Sequence, residues 1–237
     1  MNLHCTVLIP AYNTAGYISE ALRSVFSQTY KNWDVVIVDD ASIDDTVDQA
    51  SVVSANKNVS IISLKKHVGV AGATKAGLEY AKGPVVTVLD SDDRLSPSSL
   101  SMVVPRFTKD PKLGFAWTKF VCSTGKVGWS GPLPVNTSMW DALVNKRWWR
   151  ASHQRFFTKK AYAESPGFDP RFIYASDLQI ALLISSTKCK CEHIPEVTYW
   201  YRTSRVGRIT SIDLPGQRRC AKQLIDWAKG GFGEGTY

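Results

Sequence analysis

Apolar positions in the first part of the chain alternate between two periods. Cys5–Pro10, Trp33–Val38, Val59–Leu64 and Val85–Leu89 are short runs, apolar at most positions and rich in β-branched residues. That is the pattern of parallel strands covered on both faces. Between the first two, Ile18, Ala21, Leu22, Val25 and Phe26 recur at i, i+3, i+4, i+7 and i+8, which predicts a helix over Ile18–Ser27. Asp44–Ser54 reads as a second helix, with Ser42 as its N-cap and Asp45 three residues further on. Val70–Ala81 reads as a third, ended by Lys82-Gly83-Pro84. The order β-α-β-α-β-α-β predicts an α/β fold, a mostly parallel central sheet flanked by helices through right-handed crossovers.

After Asp93 the rhythm changes. Pro97–Phe107, Asp177–Ser186 and Gln217–Ala228 read as helices, and Leu113–Cys122, Lys126–Trp129 and Glu192–Tyr201 as strands of a smaller mixed sheet. Residues 130–155 show weak periodicity, and Gly230-Gly231-Phe232-Gly233 marks a loose tail. With no repeat and no linker-like stretch, the expectation is one domain over 1–237 in two functional halves, 1–100 and, with a C-terminal helix, 101–237.

Open parallel sheets bind ligands beyond the carboxyl ends of their strands, near the point where strand order reverses. Three predicted strand ends carry suggestive residues: Pro10-Ala11-Tyr12-Asn13, Val38-Asp39-Asp40-Ala41-Ser42 and Leu89-Asp90-Ser91-Asp92-Asp93. Three carboxylates within four residues repel one another, and a cation relieves that repulsion. Mg²⁺ and Mn²⁺ are bound by one or two carboxylates together with substrate phosphates. The plainer alternative makes Asp93 a cap for the following helix. Of Asp39 and Asp40, one is expected to contact a ligand and the other to cap or support.

Composition narrows the classes. Hydrophobic residues make up 44% and charged residues 21% of 237, as in a globular protein. No run approaches the roughly 18 apolar residues of a membrane span, and the first residues carry no signal-peptide pattern. A cytoplasmic protein is the expectation, with peripheral membrane contact left open. The five cysteines form no CxxC frame; Cys189 and Cys191 flank a single lysine without a second pair at zinc-ligand spacing, so no zinc site is expected. The net charge of +8 suits a polyanionic partner, and equally a well-solvated surface.

The three motifs Val7-Leu8-Ile9-Pro10-Ala11-Tyr12-Asn13, Val36-Ile37-Val38-Asp39-Asp40-Ala41-Ser42 and Val88-Leu89-Asp90-Ser91-Asp92-Asp93 resemble those of family 2 glycosyltransferases, which have the GT-A (Rossmann-like) fold. The resemblance covers about residues 3–100 and continues more loosely through Gly167-Phe168-Asp169, Ser176-Asp177 and Tyr201-Arg202. It implies inverting transfer of a sugar from a nucleotide diphosphate donor, UDP-linked by expectation, with Mn²⁺ or Mg²⁺ as cofactor. It implies that Pro10, Ala11, Tyr12 and Asn13 line the nucleoside pocket, with Ser91 beside them in the acidic turn. Asp39 would bond the base, Asp90 the ribose or metal shell, and Asp92 the metal. The family's Glu-Asp pair reads Ser176-Asp177 here, so Asp177 inherits the role of general base; the plainer reading is a helix cap. The family's Ala-Arg-Asn stretch reads Ala73-Thr74-Lys75, so Lys75 or Lys65 is expected to supply the missing positive charge near the donor.

The resemblance makes 1–100 the nucleotide-sugar-binding, or donor, half and 101–237 the acceptor half, which carries Trp117, Trp129, Trp140, Trp148 and Trp149. Trp148 and Trp149, among Lys146, Arg147 and Arg150, are candidates for an acceptor platform, against core packing. His153 is a candidate for contact with a phosphate or the acceptor, against a structural role. Tyr201-Arg202, Arg205 and Arg208 form a basic stretch that would close over the diphosphate, against a solvated surface. A glycan or lipid-linked acceptor is expected. Basic residues interleaved with aromatics also fit a nucleic-acid acceptor, and a non-catalytic nucleotide-sugar-binding module is the competing class.

Overall fold

A computed structural model of the chain describes residues 2–55, 57–128, 130–146, 151–203 and 214–233. Four parallel strands form the first part of one sheet: β1 (Cys5–Ala11), β2 (Trp33–Asp39), β3 (Val59–Ser63) and β4 (Val85–Val88). Helices α1 (Ile18–Phe26), α2 (Thr46–Ser54) and α3 (Gly69–Leu78) connect them. β1 and β4 are buried at every position, as strands with both faces covered must be.

The second half adds β5 (Arg94–Leu95), α4 (Ser99–Lys109), β6 (Leu113–Cys122), α5 (Met139–Val144), β7 (Arg155–Thr158), α6 (Lys159–Ala163), α7 (Ser176–Ser186), β8 (Lys190–Tyr201) and α8 (Leu214–Lys229). All eight strands join one sheet in the order β3-β2-β1-β4-β7-β6-β8-β5. The mixed part continues the parallel part through β7, which is antiparallel to both β4 and β6. From Lys126–Trp129 only a single bridge, Val121 to Val127, is formed among the described residues.

Side chains alternate across the sheet. Val7 and Ile9 join one core with α1 and α4, while Leu8 joins a second core with α5, α7 and α8. Phe156 and Phe157 divide the same way. α3 lies so close to the sheet that a Cβ on Gly77 would stand 2.8 Å from both Leu8 and Val38, which is why glycine occupies that helical position. No described helix is long and apolar enough to cross a membrane.

Strand order runs β1, β2, β3 to one side and then returns to place β4 on the other side of β1. The reversal puts the carboxyl ends of β1 and β4 next to each other, which is where such sheets open a crevice.

Candidate active site

The β1 and β2 ends are tied together before any ligand arrives. Asn13 adopts a left-handed φ of 50°, its N–H donates to Ser42 Oγ at 3.0 Å, and its Oδ1 accepts from Ile43 N at 2.9 Å. Ser42 therefore does not cap α2 as its sequence position suggests. The helix begins at Thr46, and Asp44 accepts from Thr46 N at 3.1 Å and Ala15 N at 3.0 Å. The two carboxylates ending β2 divide their work. Asp40 takes the Val68 and Gly69 amides at 2.7 and 2.8 Å, so it caps α3, the helix one crossover further on. Burial pushes its carboxyl above the usual range, against those two amides and His67. Asp39 is buried beside it and accepts from Ser42 N at 3.3 Å. Pro10 and Ala11 are buried in β1, while Tyr12 is 40% exposed and stacks on His67 with ring centroids 4.0 Å apart.

The acidic turn after β4 is held from the far edge of the sheet. Asp93 does not cap a helix. Its carboxylate accepts from Tyr199 Oη and from Arg202 N, each at 2.7 Å, and α4 starts only at Ser99. Tyr199 Oη also accepts from Asp90 N at 3.2 Å. Burial, then repulsion from Asp90 and Asp92, pushes the Asp93 carboxyl up to about 8. Ser91 is buried and Asp92 half-buried in the same turn.

β7 brings two further groups to this edge, because its start pairs with the end of β4, Val88 to Arg155. His153 Nε2 lies 3.3 Å from Asp90 Oδ2, and burial, then Arg155, holds the imidazole well below its ordinary pKa. A neutral imidazole offers a nitrogen lone pair. Among the described residues Asp90, Asp93 and His153 each present a ligand atom, all within 4.8 Å of one another. Two carboxylates and an imidazole can together hold a divalent ion, and a dication relieves the repulsion that helps to raise Asp93. Asp92, expected from the motif to hold the metal, is not one of that trio. Buried Arg155 places its guanidinium 3.8 Å from Asp177 Oδ2. Asp177 sits in the first turn of α7 and accepts from Leu178 N at 2.9 Å; the N-cap position itself is Ala175, in a left-handed conformation.

Lys65 is exposed just past β3, on the same carboxyl edge, since Ser63 pairs with Asp39 and Leu64 N donates to Asp39 O at 2.8 Å. Lys75 is exposed on α3, lining a hollow of about 250 Å³ with Tyr162 and Lys159, and its charge reaches Asp169. Trp117 is a fully buried core residue, donating from its indole N–H to Gly131 O at 3.0 Å, and Trp140 is partly buried, packing on Phe232 against the core. Trp129, Trp148, Trp149, Arg147, Arg150, Arg205 and Arg208 lie outside the described residues. Arg202 is turned inward, its Nε donating to Asp92 O at 2.8 Å. The motifs did not signal His67, Tyr199 or Arg155.

The model of glycosyl transferase family 2 matches residues 6–169, which include all three strand ends of this crevice. The chain belongs to glycosyl transferase family 2. This family 2 chain is 30% identical over 197 residues to a chondroitin synthase of Pasteurella multocida (strain Pm70), covering 82% of the chain and 20% of that protein. It is 35% identical over 115 residues to the Escherichia coli UDP-Glc:alpha-D-GlcNAc-diphosphoundecaprenol beta-1,3-glucosyltransferase WfaP, covering 48% of the chain and 45% of that protein. The family 2 chain thus spans about a fifth to a half of the curated relatives it matches. Its fold is similar to that of S. aureus TarS 1-349 in complex with UDP, with TM-score 0.72 and 19% identity over 95% of this chain and 65% of that one. It is also similar to the mannosyltransferase PcManGT of Pyrobaculum calidifontis in complex with GDP-Man and Mn2+, with TM-score 0.71 and 19% identity over 100% of this chain and 66% of that one. The family 2 chain therefore has the GT-A fold expected from its strand-end motifs.

Proposed function

We propose that this chain is an inverting glycosyltransferase that uses a divalent ion, takes a UDP-sugar, and glycosylates a hydroxyl of a glycan or lipid-linked glycan. The observation that carries the reading is the convergence on one carboxyl edge of Asp39, the Asp90–Asp93 turn and, through Arg155, Asp177. In this reading Tyr12 and Asp39 hold the nucleoside, with Pro10, Ala11, Asn13 and Ser91 lining its seat. Asp90, Asp93 and His153, with Asp92 as the resemblance implies, would hold Mn²⁺ or Mg²⁺. When bound, the ion stabilises negative charge on the departing diphosphate. Lys65, exposed beside Asp39 at the end of β3, and Lys75, exposed on α3, would supply positive charge once the donor is bound.

Asp177 acts on the acceptor. Its carboxylate takes the hydroxyl proton as that oxygen bonds to C1, and the C1–O bond to the diphosphate breaks with its electron pair on the leaving group. Arg155, buried and bonded to Ser152 O at 3.1 Å, gives Asp177 a fixed orientation. One displacement inverts the anomeric carbon.

The relatives' names support polysaccharide and lipid-linked acceptors, and none of those named above carries a nucleic-acid acceptor forward. All five cysteines are free, which suits the cytoplasmic setting that this reading keeps. The test uses a panel of UDP-sugars with Mn²⁺, Mg²⁺ or chelator, against glycan and lipid-linked acceptors. Asp177→Asn should lower transfer by about 10²–10⁴-fold while donor binding persists. Transfer at the wild-type rate in that variant removes Asp177 as base, and binding without turnover in the wild type favours a binding module.

A further inference from the structure

Glu20, in the first turn of α1, is the hub of a cluster that no strand-end motif includes. Its Oε1 lies 2.7 Å from Arg94 Nη1, and its Oε2 bonds Arg202 Nη2. Both guanidiniums stack on one indole, Arg94 at 3.7 Å and Arg202 at 4.8 Å from the Trp200 ring centroid, and Arg202 also reaches Tyr17 at 5.0 Å. The strand pairing of β5 with β8 sets Arg94 directly opposite Trp200. Arg94 follows Asp93 in the chain, and Arg202 touches the acidic turn twice: its Nε donates to Asp92 O at 2.8 Å, and its main-chain N to Asp93 Oδ1 at 2.7 Å.

We propose that Glu20 is a positioning residue for the acidic turn, acting through Arg94 and Arg202 to fix the Asp92–Asp93 segment in the geometry that receives a divalent ion. This rests on the metal-dependent reading of the turn given above. The physical reason lies in the charges. Two guanidiniums that cannot deprotonate share one indole, and the Glu20 carboxylate bonds both. Without its charge the two cations repel across that ring, and the side chain holding Asp92 O is pushed from its place. An isolated surface ion pair would matter little. Here the pair sets the orientation of a peptide inside a metal-binding turn, where supporting groups outside the ligand set commonly change metal affinity by 10–100-fold. Arg202 is thus a brace under the turn, in place of the lid over the diphosphate that its sequence position suggests.

The test measures Mn²⁺ binding by the electron paramagnetic resonance signal of free Mn²⁺, on the full chain with UDP present. Glu20→Gln keeps the shape and removes the charge. Its Mn²⁺ dissociation constant should rise about tenfold, with the melting temperature near wild type. In transfer assays the Mn²⁺ activation constant should rise by the same factor while kcat at saturating Mn²⁺ is unchanged, a split that general destabilisation does not produce. Arg202→Lys, which keeps the charge but loses the two-pronged contact, should weaken Mn²⁺ binding as well and serves if Glu20→Gln fails to fold. Wild-type Mn²⁺ affinity in the folded variants overturns the positioning role. A wild-type chain that takes up no Mn²⁺ overturns the metal reading beneath it.

Discussion

His153 Nε2 stands 3.3 Å from Asp90 Oδ2, across 63 residues of chain. The contact exists because β7 runs antiparallel along β4, so the residues just before β7 arrive where β4 ends. It converts two acidic groups of a turn into a three-membered cluster with an imidazole. Tyr199 and Tyr201 pack edge-on to that ring, with centroids 4.8 and 5.0 Å away, and fix its plane.

If His153 is a ligand, His153→Ala should weaken Mn²⁺ binding by tenfold or more, on the order of losing a group that shapes a metal site. Donor binding measured with chelator present should not change. Titration of Mn²⁺ into wild type and variant, each with UDP, checks this. Equal affinity would return His153 to a packing role.

Gln154 is the next residue and is buried at the junction of four elements. Its Oε1 accepts from Ser99 Oγ at 2.6 Å and Thr198 Oγ1 at 3.3 Å, and its Nε2 donates to Thr87 Oγ1 at 2.8 Å. Gln154→Leu takes this partner from the buried Ser99 hydroxyl, while Thr87 Oγ1 keeps its bond to Arg155 O and Thr198 Oγ1 its bond to Thr118 Oγ1. It should cost about 2 kcal/mol, from the usual penalty for a buried unsatisfied polar group, and lower the melting temperature by roughly 5 °C. Differential scanning calorimetry reads both.

Acid stability should carry a signature of Asp169. Burial pushes its carboxyl up, but hydrogen bonds from Arg171, with the Arg171 and Lys75 charges, outweigh it, so the folded carboxyl titrates below its ordinary value. Arg171 Nε lies 3.0 and 2.8 Å from the two oxygens. A depressed folded pKa means stability fully present above the unfolded value, near ~3.9, and lost as pH falls through the folded one. Denaturation midpoints followed from pH 7 to pH 3 should therefore fall less steeply below about pH 4 in Asp169→Asn than in wild type. A variant curve parallel to wild type would remove Asp169 as a contributor.

The first hundred residues were legible because β1, β2 and β4 are buried along almost their whole length and announce themselves as short apolar runs. The order reversal that makes the crevice follows from placing β4 beside β1, which the sequence does not state. β7 was not legible: Arg155-Phe156-Phe157-Thr158 is four residues long and follows the polar stretch His153-Gln154, yet it sits in the middle of the sheet. The short helices α5 and α6 carry local signals that periodicity overlooks, since Ser138 Oγ accepts from Asp141 N and Thr158 Oγ1 from Ala161 N. At the site, the roles of Asp40 and Asp93 hinge on partners 28 and 109 residues away, so spacing within each motif carried no trace of them. Resemblance supplied Asp177, and β7 supplied the reason it belongs to the same edge.

The most direct test of the acidic crevice is UDP binding to the wild-type chain by isothermal titration calorimetry, with Mn²⁺ and then with chelator. Tight binding with Mn²⁺ that weakens by an order of magnitude or more on chelation is the predicted result, since a bound cation joins the carboxylates to the phosphates. UDP bound equally well in the presence of chelator would contradict it.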